Sequence, residues 1–109
     1  MSRSSIAESA PTWVLAARVG LRRGEILRRQ SAPGGSGIAE EDSVLFAAIE
    51  MLRSKGTPKI VFLLTEQHVH LYEISPEDPA LATVLVAPRA SNLGLLLGEL
   101  RQVARGLEQ

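Results

Sequence analysis

The stretch KIVFLLT, residues 59 to 65, limits the possible folds of this chain more than any other feature. Its apolar residues occupy both alternating faces, so it is predicted to be a strand that is covered on both sides. A chain of 109 residues forms one domain and has no room for a second core. The cover must therefore come from the chain's own few helices or from another polypeptide.

An antiparallel hairpin is predicted ahead of this strand. Residues 13 to 19 are apolar and partly β-branched, residues 20 to 24 supply turn residues, and residues 25 to 30 can return antiparallel. The tip of this hairpin is rich in arginine. The next stretch, SAPGGSG at residues 31 to 37, contains three glycines and a proline and is predicted to be a mobile loop.

Two amphipathic helices are predicted. The first is predicted from about residue 42 to residue 55. Three acidic residues at its N-terminal end stabilise the positive end of the helix dipole, and Gly56 and Pro58 end the helix. Its inward face is Val44, Leu45, Ala48, Ile49 and Leu52, and its opposite face carries Phe46, Ala47, Glu50 and Arg53. Ser91 or Asn92 caps the second helix. The apolar stripe of this second helix is Leu93, Leu96, Leu97, Leu100, Val103, Ala104 and Leu107.

Two more strands complete the order β-β-α-β-β-β-α. HVHLYEI, residues 68 to 74, alternates two aliphatic residues against His68, His70 and Tyr72, which predicts a strand that is buried on one face. ALATVLVA, residues 80 to 87, is uncharged and ends at Pro88. The predicted fold class is α/β (α+β), with a five-stranded antiparallel sheet.

Gly94 and Gly98 lie one turn apart inside the second helix. Each glycine costs roughly 1 kcal/mol relative to alanine in a helix interior, so the pair suggests a packing demand. The same spacing occurs in membrane helix dimers, but Arg101 and Arg105 on this helix argue against that reading. We expect the glycines to let the helix backbone approach the sheet closely.

The composition excludes several functional classes. Twelve basic and twelve acidic side chains give no net charge, and only 4% of residues are aromatic, so a dedicated nucleic-acid binder is not expected. No cysteine is present, and no apolar stretch is long enough to cross a bilayer. We expect a soluble, cytoplasmic protein whose residues 1 to 11 form a flexible tail ahead of a domain spanning residues 12 to 109.

No catalytic constellation is recognisable. His68 and His70 lie two apart on a strand, which some metal sites use, but the ordinary interpretation is two histidines on the solvent side. GGSG lacks the lysine and hydroxyl that follow a phosphate-binding loop, and no serine stands in a nucleophile elbow. The sequence therefore predicts no enzyme, no metal and no cofactor.

The arginine-rich tip has two interpretations. Arg22 or Arg23 could contact phosphate groups, including those of a guanine nucleotide held by a partner. The plainer interpretation is a solvated hairpin tip. The first 37 residues hold six arginines and two glutamates, so the two parts of the chain have opposite net charge, which favours a self-complementary contact.

Two segments resemble the dynein light-chain Roadblock family. LATVLVAPRASNLGLLLGELRQVARGL, residues 81 to 107, looks like the family's last strand, short loop and final helix. SVLFAAIEMLRSKGTPKIVFLLTEQHVHLYEI, residues 43 to 74, is similar to its central helix and the following strand pair. The resemblance covers about residues 13 to 107 and implies a Roadblock/profilin-like fold. It departs from the family pattern in GLRRGE at the hairpin tip and in residues 1 to 12, which are too short to supply the family's first helix.

The resemblance implies a scaffold or regulator without an active site. Such proteins form homodimers or heterodimers, often regulate small Ras-like GTPases, and act in motility, polarity and transport complexes. Family dimers join through the central helix and the next strand, which correspond here to Phe46, Ala47, Glu50, Arg53, Ile60, Val61, Phe62, Leu63 and Leu64. The expected partner-binding residues are Arg22, Arg23 and Leu95.

Two alternatives remain open at this level. Pairing with a second copy would cover both the apolar strand and Phe46. No partner would be needed if the strand were in the middle of the sheet and the exposure of Phe46 were simply tolerated. The protein could also be a small-ligand sensor with a pocket under the loop at residues 31 to 37. Ligand-dependent melting without any GTPase would favour the sensor.

Overall fold

The computed structural model describes residues 12 to 54 and 60 to 107. Its elements follow the predicted order and are β1 Leu15–Gly20, β2 Glu25–Ser31, α1 Glu41–Ser54, β3 Ile60–Leu64, β4 His68–Ile74, β5 Leu81–Pro88 and α2 Leu93–Leu107. The tail predicted at residues 1 to 11, where the family's first helix was expected to be missing, lies outside the described residues, as does the predicted end of α1 at residue 55.

The five strands form one antiparallel sheet in the order β2-β1-β5-β4-β3, which confirms the predicted fold class. The predicted hairpin joins β1 to β2 through a turn in which Gly24 has a φ of +68°, a left-handed conformation that favours glycine. The middle of the sheet is formed by β1, β5 and β4, and its two edges are β2 and β3.

One face of the sheet, the α1 face, packs against α1. The helix contributes Leu45, Ala48, Ile49 and Leu52, which are the fully buried members of the predicted inward face. The sheet contributes Leu15, Ala17, Val19, Tyr72, Ala82, Val84 and Val86. Burying a leucine or isoleucine side chain stabilises a fold by about 1.5 to 3 kcal/mol, so these contacts hold α1 in place.

The opposite face, the α2 face, packs against α2. Trp13, Ala16, Val69, Leu71, Leu85 and Ala87 meet Leu96, Leu100 and Leu107 of the helix. Asn92 is the cap of α2, because its Oδ1 accepts a hydrogen bond from the Leu95 backbone N–H at 3.1 Å. The prediction of a cap at Ser91 or Asn92 is thereby confirmed and narrowed to Asn92.

The predicted role of the glycine pair is wrong. Gly94 and Gly98 are exposed, and they lie on the side of α2 that faces away from the sheet. A methyl group added at Gly98 would meet nothing within 4 Å, and one added at Gly94 would meet only Asn92 Oδ1 at 3.2 Å. Close packing on the sheet is supplied by Leu96 and Leu100 instead.

The prediction that β4 is buried on one face is also wrong. Val69 and Leu71 are buried on the α2 face as expected, but His70 and Tyr72 on the other face are only 7% and 2% exposed. The reason is that the sheet lies between two helices, so the face that seemed polar contributes Tyr72 to the core under α1. The two rings are largely apolar and fit such a position.

Candidate dimerisation and partner-binding surface

The strand β3 forms an open edge of the sheet. It pairs with β4 and with no other strand in the described part of the chain. Phe62 and Leu64 are 47% and 57% exposed, so a single chain leaves this side of the strand uncovered, as expected if the predicted cover comes from another polypeptide. The alternative that β3 is a central strand is excluded, because β3 lies at an edge of the sheet. An apolar edge with free backbone groups is a template for pairing with another strand.

The other side of β3 is better covered. Val61 and Leu63 pair with Tyr72 and His70, which places them on the α1 face, where both are half-buried. Val61 packs against the core under α1. Ile60, at the start of the strand, is half-buried as well. The strand is therefore anchored on one face, while its α2 face offers apolar side chains to solvent.

The outward face of α1 is the second part of the predicted dimer interface. Phe46 is 45% exposed, and Ala47, Glu50 and Arg53 are exposed too, which confirms their predicted orientation. The backbone of α1 approaches β1 and β2 most closely. Within one chain the structure thus places α1 over one half of the sheet and β3 at the edge of the other half.

The hairpin turn brings together arginines from two elements. Arg22 and Arg23 are exposed in the turn and make no ion pair with any residue that the structure describes. Arg53 of α1 reaches the same turn, since its Nη1 lies 3.1 Å from the position of a Cβ on Gly24. The sequence did not reveal this neighbour, because no local pattern relates the end of α1 to the hairpin.

The other hairpin arginines are engaged within the chain. Arg29 forms ion pairs with Glu41, at 3.6 Å, and with Asp42. Arg28 Nη1 donates a hydrogen bond to the Leu107 carbonyl oxygen at 3.4 Å. Among the described residues around the hairpin turn, the arginines without an ion pair are therefore Arg22, Arg23 and Arg53.

Two exposed leucines lie in the first turn of α2, at the end of the sheet opposite the hairpin turn. Leu95 is exposed, as predicted, but Leu93 is exposed as well, although the spacing placed it in the buried stripe. The first turn of α2 follows Pro88, the last residue of β5, by a short loop. Arg89 ties this loop to the β3–β4 turn through its N–H, which donates to the Gln67 carbonyl oxygen at 3.0 Å.

Of the two histidines, His70 lies in the interior, whereas His68 is partly open to solvent. His68 is half-buried, His70 is buried, and the His70 Nδ1 lies 3.4 Å from the Tyr72 hydroxyl. Burial lowers the pKa of His70 below its ordinary value of 6.5, and the charge of His68 lowers it further. Among residues 12 to 54 and 60 to 107, no three His, Asp or Glu side chains come together as a metal site.

The loop at residues 31 to 37 is tied to the start of α1. The Ser36 hydroxyl donates to the Glu41 carboxylate, and Ser31 donates to the same carboxylate at 3.2 Å. A depression of about 450 Å³ lies beside the loop and is lined by Arg29 and residues 38 to 43. None of residues 31 to 37 lines this depression, so it is not the pocket that was predicted under the loop.

The strand order, the helix on each face and the open β3 edge define a Roadblock-like α+β domain. The same fold occurs in the Roadblock/LC7 domain from Streptomyces avermitilis, with a TM-score of 0.65, 10% identity and coverage of 96% of this chain and 90% of that one. No protein-family model and no curated protein matches this sequence.

Two further solved structures share the fold. MglB in a tetrameric arrangement has a TM-score of 0.70 and 13% identity, with 95% of this chain and 80% of that chain covered. MglC from Myxococcus xanthus has a TM-score of 0.52 and 17% identity, with 95% and 88% covered. At these identities the shared property is the fold.

Within the described residues, no helix has both the length and the apolar character needed to cross a membrane.

Proposed function

We propose that this protein is a non-catalytic adaptor or regulator that works as a dimer with a small Ras-like GTPase, in a motility, polarity or transport complex. The observation that carries the proposal is the apolar β3 edge, where Phe62 and Leu64 are about half exposed. The Roadblock-like fold supports the same class of function.

The dimer would form by antiparallel pairing of two β3 edges across a two-fold axis. Such pairing satisfies the free backbone groups of both edges and extends the sheet from five strands to ten. Phe62 and Leu64 of one copy would then lie beside those of the other copy. The outward face of α1, with Phe46, would supply the second contact, because a phenylalanine hidden from water stabilises an interface.

The GTPase would contact the basic hairpin turn. Arg22, Arg23 and Arg53 offer planar guanidinium groups that suit acidic side chains and the phosphates of a bound nucleotide. Leu95 lies at the other end of the molecule and offers an apolar contact. These partner-binding roles are assigned to this chain because of its resemblance to the family. In the dimer, a related subunit could take the place of the second copy.

The molar mass in solution tests the dimer. We expect twice 11.7 kDa, about 23 kDa, for the protein as it is, and 11.7 kDa for Phe46→Glu, because the substitution buries a charge in the interface. Leu27→Glu is the matched control, since Leu27 is exposed on the opposite edge strand β2. A Phe46→Glu variant that remains dimeric rules out the α1 contact, and a monomeric wild-type protein rules out the dimer.

A direct binding experiment tests whether a Ras-like GTPase is the partner. The immobilised protein is exposed to each purified Ras-like GTPase of the source organism, loaded with GDP or with GTP, and the variant Arg22→Ala/Arg23→Ala is compared with Arg89→Ala. We expect binding to one GTPase that weakens several-fold only in the double variant. Hydrolysis rates with and without the protein separate an activator from a scaffold. No binding to any of these GTPases contradicts the proposed regulation while leaving the dimer test intact.

A further inference from the structure

The open edge of β3 presents the backbone groups of every second residue. Next to the strand, the Thr65 N–H donates to the His68 carbonyl oxygen at 2.9 Å, so these two residues form a hydrogen-bonded pair between the two strands of the hairpin. In an antiparallel ladder such pairs alternate with pairs whose backbone groups point outward. Counting back from Thr65, the outward groups belong to Ile60, Phe62 and Leu64.

The side chains of β3 are apolar on both faces of the sheet. Phe62 pairs with Leu71 of the core under α2, and residues 60 and 64 share that face by alternation. Val61 and Leu63 lie on the α1 face. A charged residue directly opposite any of these positions would forfeit the favourable cross-strand contact. A strand that pairs with the whole of β3 must therefore be apolar on both faces and five residues long.

The strand itself meets these conditions. A two-fold axis perpendicular to the sheet reverses the strand direction and keeps each face of β3 next to the same face of its copy. When this axis passes through Phe62, that residue lies opposite its own counterpart. Val61 then lies opposite Leu63 of the second copy, and residue 60 lies opposite residue 64 of the second copy. All five residues meet apolar residues, and residues 60, 62 and 64 supply three hydrogen-bonded pairs.

Other positions of the axis leave part of the edge unpaired. An axis through Val61 overlaps only residues 60 to 62 of each strand, and an axis through Leu63 overlaps only residues 62 to 64. Each of these overlaps contains two hydrogen-bonded pairs instead of three. The register of a strand is set where backbone pairing and the apolar pattern agree. For two copies of β3 that position is the axis through Phe62.

We propose that the partner of β3 is a second copy of this chain and that the two-fold axis of the pair passes through Phe62. The inference rests on the proposed dimer and specifies its partner and its register. The two Phe62 rings, each 47% exposed in a single chain, meet on the α2 face. Rings directly opposite each other on adjacent strands form a stabilising cross-strand pair. A different subunit would need the same apolar pattern over the same length to pair equally well.

Single cysteines test the register, because the chain contains no cysteine of its own. A residue on the axis faces its counterpart at a Cα separation of about 4.5 to 5.5 Å, which a disulfide can bridge. A residue one position from the axis lies roughly 7 to 8 Å from its counterpart, which is too far. The variants Val61→Cys, Phe62→Cys and Leu63→Cys are each oxidised mildly, and the covalent dimer is measured by non-reducing electrophoresis.

The expected product is a disulfide-linked dimer of about 23 kDa, twice 11.7 kDa, in Phe62→Cys. We expect at least about tenfold less of it in Val61→Cys and in Leu63→Cys. The double variant Ile60→Cys/Leu64→Cys keeps the Phe62 ring, so it also tests the register if loss of the ring weakens the dimer. It should form the covalent dimer, whereas Ile60→Cys alone and Leu64→Cys alone should not.

The outcomes separate this inference from the proposed dimer. Strongest crosslinking in Val61→Cys or in Leu63→Cys moves the axis and overturns the register. A wild-type protein that is dimeric by mass, with no crosslinking in Phe62→Cys or in the double variant, overturns the self-pairing of β3 while the dimer stands. A wild-type protein that is monomeric when purified alone overturns both.

Discussion

At the scale of single residues, His70 and Tyr72 show where alternation along a strand misleads. The pattern of HVHLYEI placed both rings on a polar side, because both carry a polar atom. The structure buries them, and their polar atoms lie 3.4 Å apart. Which face of a strand is covered depends on the helices above the sheet, and the residues of the strand alone do not contain that information.

Burial raises the pKa of Tyr72 to about 12, from an ordinary value of 10.0. The unfolded chain therefore loses the phenol proton from about pH 10, while the folded protein keeps it to about pH 12. Above pH 10 the unfolded state binds fewer protons, so we expect the free energy of unfolding to fall as the pH rises from 10 to 12.

The chain has one tyrosine, so tyrosinate absorbance reports this group directly. We expect the absorbance midpoint near pH 10 in concentrated urea and well above pH 10 in the folded protein. Tyr72→Phe keeps the ring and should remove this part of the pH dependence of stability. A midpoint near 10 in the folded protein would mean that Tyr72 is solvated.

At the scale of elements, α2 was predicted in most respects. Leucine spacing gave its extent and its stripe, and Asn92 gave its start, because both signals are local. Gly94 and Gly98 were misread, since spacing cannot tell whether a glycine at the margin of a stripe faces the sheet or the solvent. Leu93 was misread because the spacing gives its face of the helix but does not show whether another element covers that face at the first turn.

Gly98→Ala should stabilise the protein. The added methyl group meets nothing within 4 Å, and the better helix propensity of alanine should raise the free energy of unfolding by up to about 1 kcal/mol. Urea unfolding at a fixed protein concentration measures the change. A loss of stability would show that another surface packs tightly against this side of α2.

Gly24→Ala is the matched comparison for that experiment. Gly24 has a φ of +68°, and a Cβ there would lie 3.1 Å from Arg53 Nη1. A side chain in a left-handed conformation costs roughly 1 to 2 kcal/mol, so this variant should unfold at a lower urea concentration. The same substitution is thus expected to act in opposite directions at the two glycines.

At the scale of the whole molecule, periodicity predicted which elements exist and the family resemblance predicted how they assemble. Local spacing defined the seven elements that residues 12 to 54 and 60 to 107 contain, in the right order. It did not show that β3 lies at an edge, because strand neighbours are set by contacts between distant residues. The outward orientation of Phe46 was predictable from helical spacing, whereas the joint position of Arg53 and the hairpin turn was not.

The edge position of β3 leads to a prediction about assembly. Phe62→Lys places a charge on the exposed apolar edge, and we expect it to raise the dimer dissociation constant at least about tenfold. Leu27→Lys, on the β2 edge, should leave the constant unchanged. Sedimentation equilibrium over a range of concentrations measures both, and an equal effect of the two substitutions would argue against pairing through β3.

The two edges of the sheet differ in chemistry. The β2 edge carries Arg28 and Arg29, whereas the β3 edge carries Phe62 and Leu64. A fibre in which each β2 edge joins the β3 edge of the next molecule would desolvate guanidinium groups against aromatic and aliphatic side chains. Growth by that route is unfavourable, so the proposed association through the apolar edge would end with two chains and would protect the protein from polymerisation by that route.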